Sequence, residues 1–190
     1  MSVEPQRRSQ LVEAAISEIG SSGSLDVTVS QIAKRAGVSA ALAFHYFGDK
    51  EKLFLAAMRH VLAIYGAEVR GALSAGGSHR ARLTALINAS FSTTNFRRDT
   101  VAAWLNFYVL AQRSEQARRL LAIYHRRLQS NLVHDLRPLV GDRAPELALR
   151  LGGLIDGLYL RSAINPDDIS GKTAAAQVLA ALSREIGPDA

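Results

Sequence analysis

TVSQIAKRAGVSAALAFHYFGDKEKL, residues 28–53, reads as two short helices joined by a tight turn, with the start of a third behind them. Thr28 stands as an N-cap, its hydroxyl placed to take up a free backbone N–H of the first turn. Val29, Ile32 and Ala33 recur on one face and point inward. Gly37 falls where the first helix must stop, since glycine tolerates the left-handed conformation that ends helices. Val38 reads as a buried pin between the helices, and Ser39 as the cap of a second helix running through about Phe47. Gly48 and Asp49 break and recap the chain, which leaves Lys50 in the first turn of the next helix.

This is the layout of a helix-turn-helix, whose second helix enters the major groove of DNA. An ordinary helical corner also carries Gly-Val-Ser, so the composition of the second helix matters. Ala40 and Ala41 are small enough at its leading end for close approach to bases and phosphates. His45 and Tyr46 place polar and aromatic groups on a helix that otherwise faces solvent. Lys50 follows at a helix N-terminus, where its charge and the free amides suit a phosphate.

The pattern AxxAGVSxxxxxHYFxDKexL, from Ala33 to Leu53, resembles the N-terminal signature of the TetR family of one-component repressors. The likeness runs from about Ser9 to Met58. It departs at Ala41, where a glycine is frequent, and at Phe44, where a tyrosine often contacts phosphate. The resemblance implies a homodimer on palindromic double-stranded operator DNA. Thr28, Ser39, Tyr46 and Lys50 are expected at phosphates, and Ala40, Ala41, Leu42 and His45 at or near base edges.

The rest of the chain fits an all-α protein. It has 190 residues, 48% of them hydrophobic, and nearly every segment is rich in Ala, Leu and Arg. About nine helices are expected. Residues 1–52 form a three-helix DNA-binding domain, and residues 53–190 a helical ligand-binding and dimerisation domain. The absence of Cys excludes disulfides, thiolate zinc sites and cysteine nucleophiles. No apolar signal segment opens the chain, and no run approaches the roughly 18 apolar residues that span a bilayer. A cytoplasmic protein without a membrane partner is expected. The net charge of +6 suits a polyanion, yet residues 1–60 hold seven Lys or Arg against six Asp or Glu. DNA binding must therefore rest on the placement of Arg7, Arg8, Lys34, Arg35, Lys50 and Lys52. Residues 80–130 hold nine Arg against two acids, which reads as a solvated helix face.

A first helix from about Pro5, ended by the run GSSG at Gly20–Gly23, carries Leu11, Ala14, Ala15, Ile16 and Ile19 to pack behind the corner. A long helix from Lys50 to about Leu73 links the two halves, and SAGGS at Ser74–Ser78 is a linker. Helices follow over 79–92, from Asp99 through Gln112, from Ser114 to a stop at Pro138 and Gly141, over 144–164, and over 173–186. Gly152, Gly153, Gly157, Ala175, Ala176, Ala180 and Ala181 make the last two helices suited to close packing across a dimer face.

Three aromatics stand within five positions of one helix. At 100° per residue, Trp104 and Tyr108 lie about 40° apart and Phe107 about 60° to the other side. A core stripe has the same spacing. Asp156 sits on a helix apolar on nearly all sides, LALRLGGLIDGLYLRSA, with Tyr159 about 60° away. A buried carboxylate costs several kcal/mol unless something pairs with it. An arginine from a neighbouring helix serves, and so does a ligand cation. A quaternary ammonium donates no N–H hydrogen bond and is held by aromatic faces and a counter-charge. AWLNFY, LQSNLVHDLRPL and GLIDGLYLRSA resemble the ligand domain of the family's choline-responsive repressors of the betaine pathway. That resemblance implies choline as effector, bound through Trp104 and Asp156, with Phe107, Tyr108 and Tyr159 around it. The effector is expected to tilt the long helix and alter the spacing of the recognition helices.

Other readings stay open here: a regulator of the same fold sensing other quaternary, lipophilic or polyamine cations, or a helical carrier without DNA binding. An enzyme is not expected. The five histidines, at 45, 60, 79, 125 and 134, lack His-Glu-x-x-His spacing, and no glycine-rich phosphate loop or nucleophile–base pair can be placed. No cofactor and no metal are expected.

Overall fold

The structure, a computed structural model, describes residues 3–187. Among these, nine α-helices and one 3₁₀ turn account for all regular structure: α1 (Val3–Ser22), α2 (Val29–Arg35), α3 (Ala40–Phe47), α4 (Lys50–Ser74), α5 (His79–Ser90), α6 (Arg98–Arg113), α7 (Glu115–Val140), α8 (Ala144–Ile164) and α9 (Gly171–Ile186), with the 3₁₀ turn at Gly141–Arg143. They group into two compact units. The first holds the chain up to Leu62 and Arg98–Leu120, and the second holds Ala63–Arg97 and the chain from Leu121. Helices α4 and α7 each begin in the first unit and end in the second.

In the first unit α1 packs along α6 and against α2, and α2 packs on α3. The apolar stripe of α1 drives this, because Leu11, Ala15 and Ile19 are wholly buried, as are Ile32, Met58 and Phe107. Each such large side chain contributes roughly 1.5–3 kcal/mol by leaving water. The run GSSG ends α1 as expected, with Ser22 the last helical residue and Gly23, φ 65°, just past it. Gly20 serves another purpose: a Cβ there would fall 2.6 Å from Asp99 Cα and nearer still to its carbonyl oxygen. The missing side chain is what lets α1 meet the start of α6.

In the second unit α9 packs on α5 and on α8. Leu83, Leu86, Ile87, Leu132, Leu136, Ile155 and Val178 form its core. Serine caps open α5 and α9: Ser78 accepts from Ala81 N–H and Ser170 from Thr173 N–H. Pro138 does not stop α7 but sits inside its last turn, and the chain leaves the helix at Gly141, φ 59°. A proline so close to a helix end removes one hydrogen bond without interrupting the helix that precedes it.

Candidate functional site

The corner of residues 28–53 is built by capping. Thr28 and Gln31 cap reciprocally: Gln31 N–H donates to the Thr28 hydroxyl at 3.2 Å, and Thr28 N–H to Gln31 Oε1 at 2.6 Å. At the turn, Gly37 takes φ 68°, and Val38 N–H returns to the Ala33 carbonyl at 3.0 Å. Ser39 opens α3 by accepting from Leu42 N–H at 3.2 Å. Gly48, φ 79°, closes it with a 2.7 Å bond to the Phe44 carbonyl. Asp49 then caps α4 by accepting from Lys52 N–H at 2.8 Å, and that bond, with the Lys52 ammonium 3.1 Å away, holds its carboxyl below the usual range. Val38 is half-buried rather than enclosed, while Ala43 and Phe47 of α3 are buried.

Ala43 and Phe47 anchor the inner face of α3 and set its outer one. Thr28, Ser39, Ala41, Phe44 and His45 are exposed, while Ala40, Leu42, Tyr46 and Lys50 are half-buried. The rings of His45 and Tyr46 lie 5.5 Å apart. Arg8 of α1 grips the end of this helix: its guanidinium donates to the Tyr46 carbonyl at 2.8 Å and lies 4.8 Å over the Phe47 ring. That satisfies a helix-end carbonyl that the helix itself leaves open. The sequence marks Arg8 only as a local cation, since a pairing across 38 positions has no local signal. Lys50 lies over the Phe54 ring at 5.3 Å, and Arg35 pairs with Glu18 at 2.5 Å. Surface pairs of this kind are worth little, so the cations remain exchangeable for phosphate.

The expected effector residues divide between the units. Trp104, Phe107 and Tyr108 lie on α6 in the first. Trp104 meets Tyr108 edge-on, 5.6 Å between centroids, and Phe107 is fully enclosed. Asp156 and Tyr159 lie on α8 in the second. Asp156 is not fully buried: its side chain is 31% exposed, because Leu149 and Leu160 on the same side of α8 are themselves open, at 69% and 48%. Among the described residues no arginine pairs with it. His125 Nε2 stands 3.5 Å from Oδ2, and the Tyr124 hydroxyl donates to Oδ1 at 3.5 Å. Both distances are at the outer limit of a hydrogen bond, so the carboxylate keeps acceptor capacity for a ligand.

Aromatic groups stand near that carboxylate within the second unit: Tyr124 bonds to it, and its charge is felt at the Tyr65 and Tyr159 hydroxyls. Tyr65 meets Tyr124 edge-on at 5.3 Å, and its hydroxyl lies 3.2 Å from that of Ser90. Tyr159 donates to the Ser90 carbonyl, stacks on Phe91 at 5.5 Å and meets Phe96 edge-on at 5.1 Å. Burial, with the Asp156 charge adding to it against the Ser90 bond, pushes the Tyr65 hydroxyl up to about 12. Burial, then the charge Tyr65 carries once ionised and the carboxylates Asp156 and Glu68, push Tyr159 well above the ordinary tyrosine value. The field around these hydroxyls thus disfavours another negative charge. Glu68 adds a second carboxylate, accepting from Ser92 and, at 2.6 Å, from Asn95. Tyr65 and Tyr124 fall on the apolar stripes of α4 and α7, where periodicity alone cannot separate a binding aromatic from a core one.

Capped helices with an exposed second face define a helix-turn-helix DNA-binding protein, and known proteins agree. Residues 11–57 match the tetR family of bacterial regulatory proteins, and residues 79–187 match the C-terminal domain of BetI-type transcriptional repressors. The HTH-type transcriptional regulator BetI of Brucella anthropi is 51% identical over 177 residues, covering 93% of this chain and 91% of that protein. The regulator of the same name from Rhizobium meliloti is 49% identical, covering 88% and 83%. A transcriptional regulator from Pseudomonas aeruginosa PAO1 superposes with a TM-score of 0.81 at 28% identity, over 97% of this chain and 91% of that one. One from Saccharomonospora viridis, solved in complex with choline, shares the fold with a TM-score of 0.83 at 24% identity, over 97% and 100%. The chain belongs to the TetR family of transcriptional regulators, with the C-terminal domain of its BetI-type repressors. No described helix is long and apolar enough to cross a membrane.

Proposed function

We propose that this repressor is a cytoplasmic homodimer that binds a palindromic operator, represses choline-to-glycine-betaine genes and responds to choline. In this reading residues 1–52 serve DNA and residues 53–190 serve ligand and dimer. The observation that carries the effector is Asp156, half-open and loosely bonded, among Tyr65, Tyr124 and Tyr159. A trimethylammonium group wants that setting: aromatic faces to replace water, a carboxylate for its charge, and no demand for N–H acceptors. The sequence-expected residues Trp104, Phe107, Tyr108, Asp156 and Tyr159 are all proposed for effector recognition. Of these, Asp156 and Tyr159 share the second unit with Tyr65 and Tyr124.

On DNA, Thr28, Ser39, Tyr46 and Lys50 are proposed at phosphates, with Ala40, Ala41, Leu42 and His45 toward base edges. Exposed Phe44 offers an apolar surface where relatives of the family often place a hydroxyl. Dimerisation through α8 and α9 is supported by apolar and small groups left open on both: Leu149, Gly153, Leu160 and Ile164, then Ala176 and Ala180. Of the other small residues, Gly152, Gly157 and Ala181 are half-buried and Ala175 is buried. A two-fold pair places its recognition helices on half-sites about 34–36 Å apart. Choline regulates only by its differential affinity for the DNA-competent and incompetent states.

Calorimetric titration with choline, alongside Trp104 fluorescence, tests the reading, with glycine betaine and a neutral choline isostere as controls. Saturable choline binding, lost in Asp156→Asn, is expected. Equal binding of the neutral isostere would remove the cation site from the proposal. The second carboxylate, Glu68, favours one further reading, an elongated polycation such as a polyamine, which competition with spermidine distinguishes.

A further inference from the structure

Away from the effector residues, Asp135 of α7 gathers two histidines. His79 Nδ1, at the first position of α5, stands 2.9 Å from Asp135 Oδ1, and His134 Nδ1 stands 3.1 Å from the same atom. The two rings are 6.2 Å apart, and the three ligating atoms all lie within 4.8 Å of one another. Asp135 is 1% exposed, His79 is partly exposed and His134 is open to solvent. The carboxylate is used lopsidedly. Oδ1 faces both imidazoles and also accepts from Arg82 Nε at 2.8 Å, while buried Oδ2 has no hydrogen-bond partner among the described residues. An orphaned buried carboxylate oxygen is rare and calls for a physical reason.

From this geometry we infer a second site, one for a divalent transition-metal ion of the zinc class, ligated by His79, His134 and Asp135. Two imidazoles and one carboxylate are the donor set such ions take, and water completes a tetrahedral shell. Tetrahedral ligand atoms at about 2.0–2.1 Å from zinc lie roughly 3.3 Å from each other, close to the present spacing around Oδ1. Little rearrangement is needed. The ion replaces the two imidazole contacts on Oδ1, where Arg82 still donates. Arg82 is an outer partner rather than a competitor. It offers no lone pair, and its guanidinium is also tied to the Leu73 carbonyl at 2.9 Å, so it keeps Asp135 ionised and oriented. The exposed imidazoles supply the entry path. Bound there, the ion ties the start of α5 to α7 and, through Arg82, to the end of α4, all within the second unit. The site is separate from Asp156, and its failure leaves the choline reading untouched.

The test is calorimetry and thermal unfolding of tag-free, chelator-treated protein titrated with zinc chloride. One ion per chain and a raised unfolding midpoint are expected at pH 7.5. Both should weaken in acid, since ligating nitrogens must be deprotonated to bind the ion. His79→Gln and His134→Gln, on side chains open enough to leave folding intact, should each weaken binding at least tenfold. His60→Gln should bind as wild type. Absence of a zinc-dependent shift in the wild type, or wild-type binding by both the His79 and His134 variants, would overturn the site.

Discussion

The tyrosines beside Asp156 make a pH-dependent contribution whose sign is fixed. Tyr65 has a folded-state pKa of about 12 against an ordinary 10, and Tyr159 is raised as well. A raised pKa means the folded state holds its proton longer than the unfolded chain does. The stabilisation is complete below pH 10 and is lost as pH rises toward about 12. Denaturant melts between pH 9 and 12 should therefore show falling stability, with a shallower fall in Tyr65→Phe. That variant should also keep most choline affinity, because in the proposed site a ring face, not the hydroxyl, serves the cation. Lys50→Ala belongs to the same scale. It should weaken binding to all DNA sequences alike and lower the salt dependence by about one phosphate per protomer. A change confined to one operator position would place Lys50 at a base instead.

Helices meet through single positions that decide the packing. Gly20 lets α1 approach the Asp99 backbone, which cannot move aside as a side chain would. Gly20→Ala should cost about 3 kcal/mol, the upper end for overpacking, read as a lower unfolding midpoint. Ser39→Ala removes one cap from α3 and should cost about 1 kcal/mol. Arg8→Ala removes one cation but leaves the α3 residues and Lys50 in place, and it releases the end of α3. Reduced operator affinity with an unchanged fold, by circular dichroism, is the expected outcome. Unchanged affinity would mean that Ala43 and Phe47 suffice to orient the helix.

For the whole molecule, the open face of α8 is the feature with the largest consequence. Leu149 and Ile164 are 69% and 68% exposed, more than apolar side chains on a covered helix should be. Leu160→Glu should shift the protein from dimer to monomer in sedimentation and remove cooperative operator binding. A variant still dimeric at micromolar concentration would move the interface elsewhere. The match to BetI-type repressors over residues 79–187 places this face in the half of the chain that the family devotes to its own C-terminal domain.

Residues 28–53 determined their own structure, because caps, turn glycines and apolar spacing act within a few residues of one another. Thr28, Gly37, Ser39 and Gly48 stand where local chemistry puts them, and the helical class follows from the same periodicity. The stop of α1 was legible in its GSSG run, but the tertiary task of Gly20 against Asp99 was not. Aromatic stripes were ambiguous for a similar reason: spacing places Phe107, Tyr65 and Tyr124 on faces without saying what those faces meet. Only the tertiary structure decided that Phe107 is enclosed, that Asp156 pairs with His125 and Tyr124, and that His79 reaches Asp135 across 56 positions. Such pairings depend on how helices pack, and packing is a sum over the whole chain that no short stretch contains.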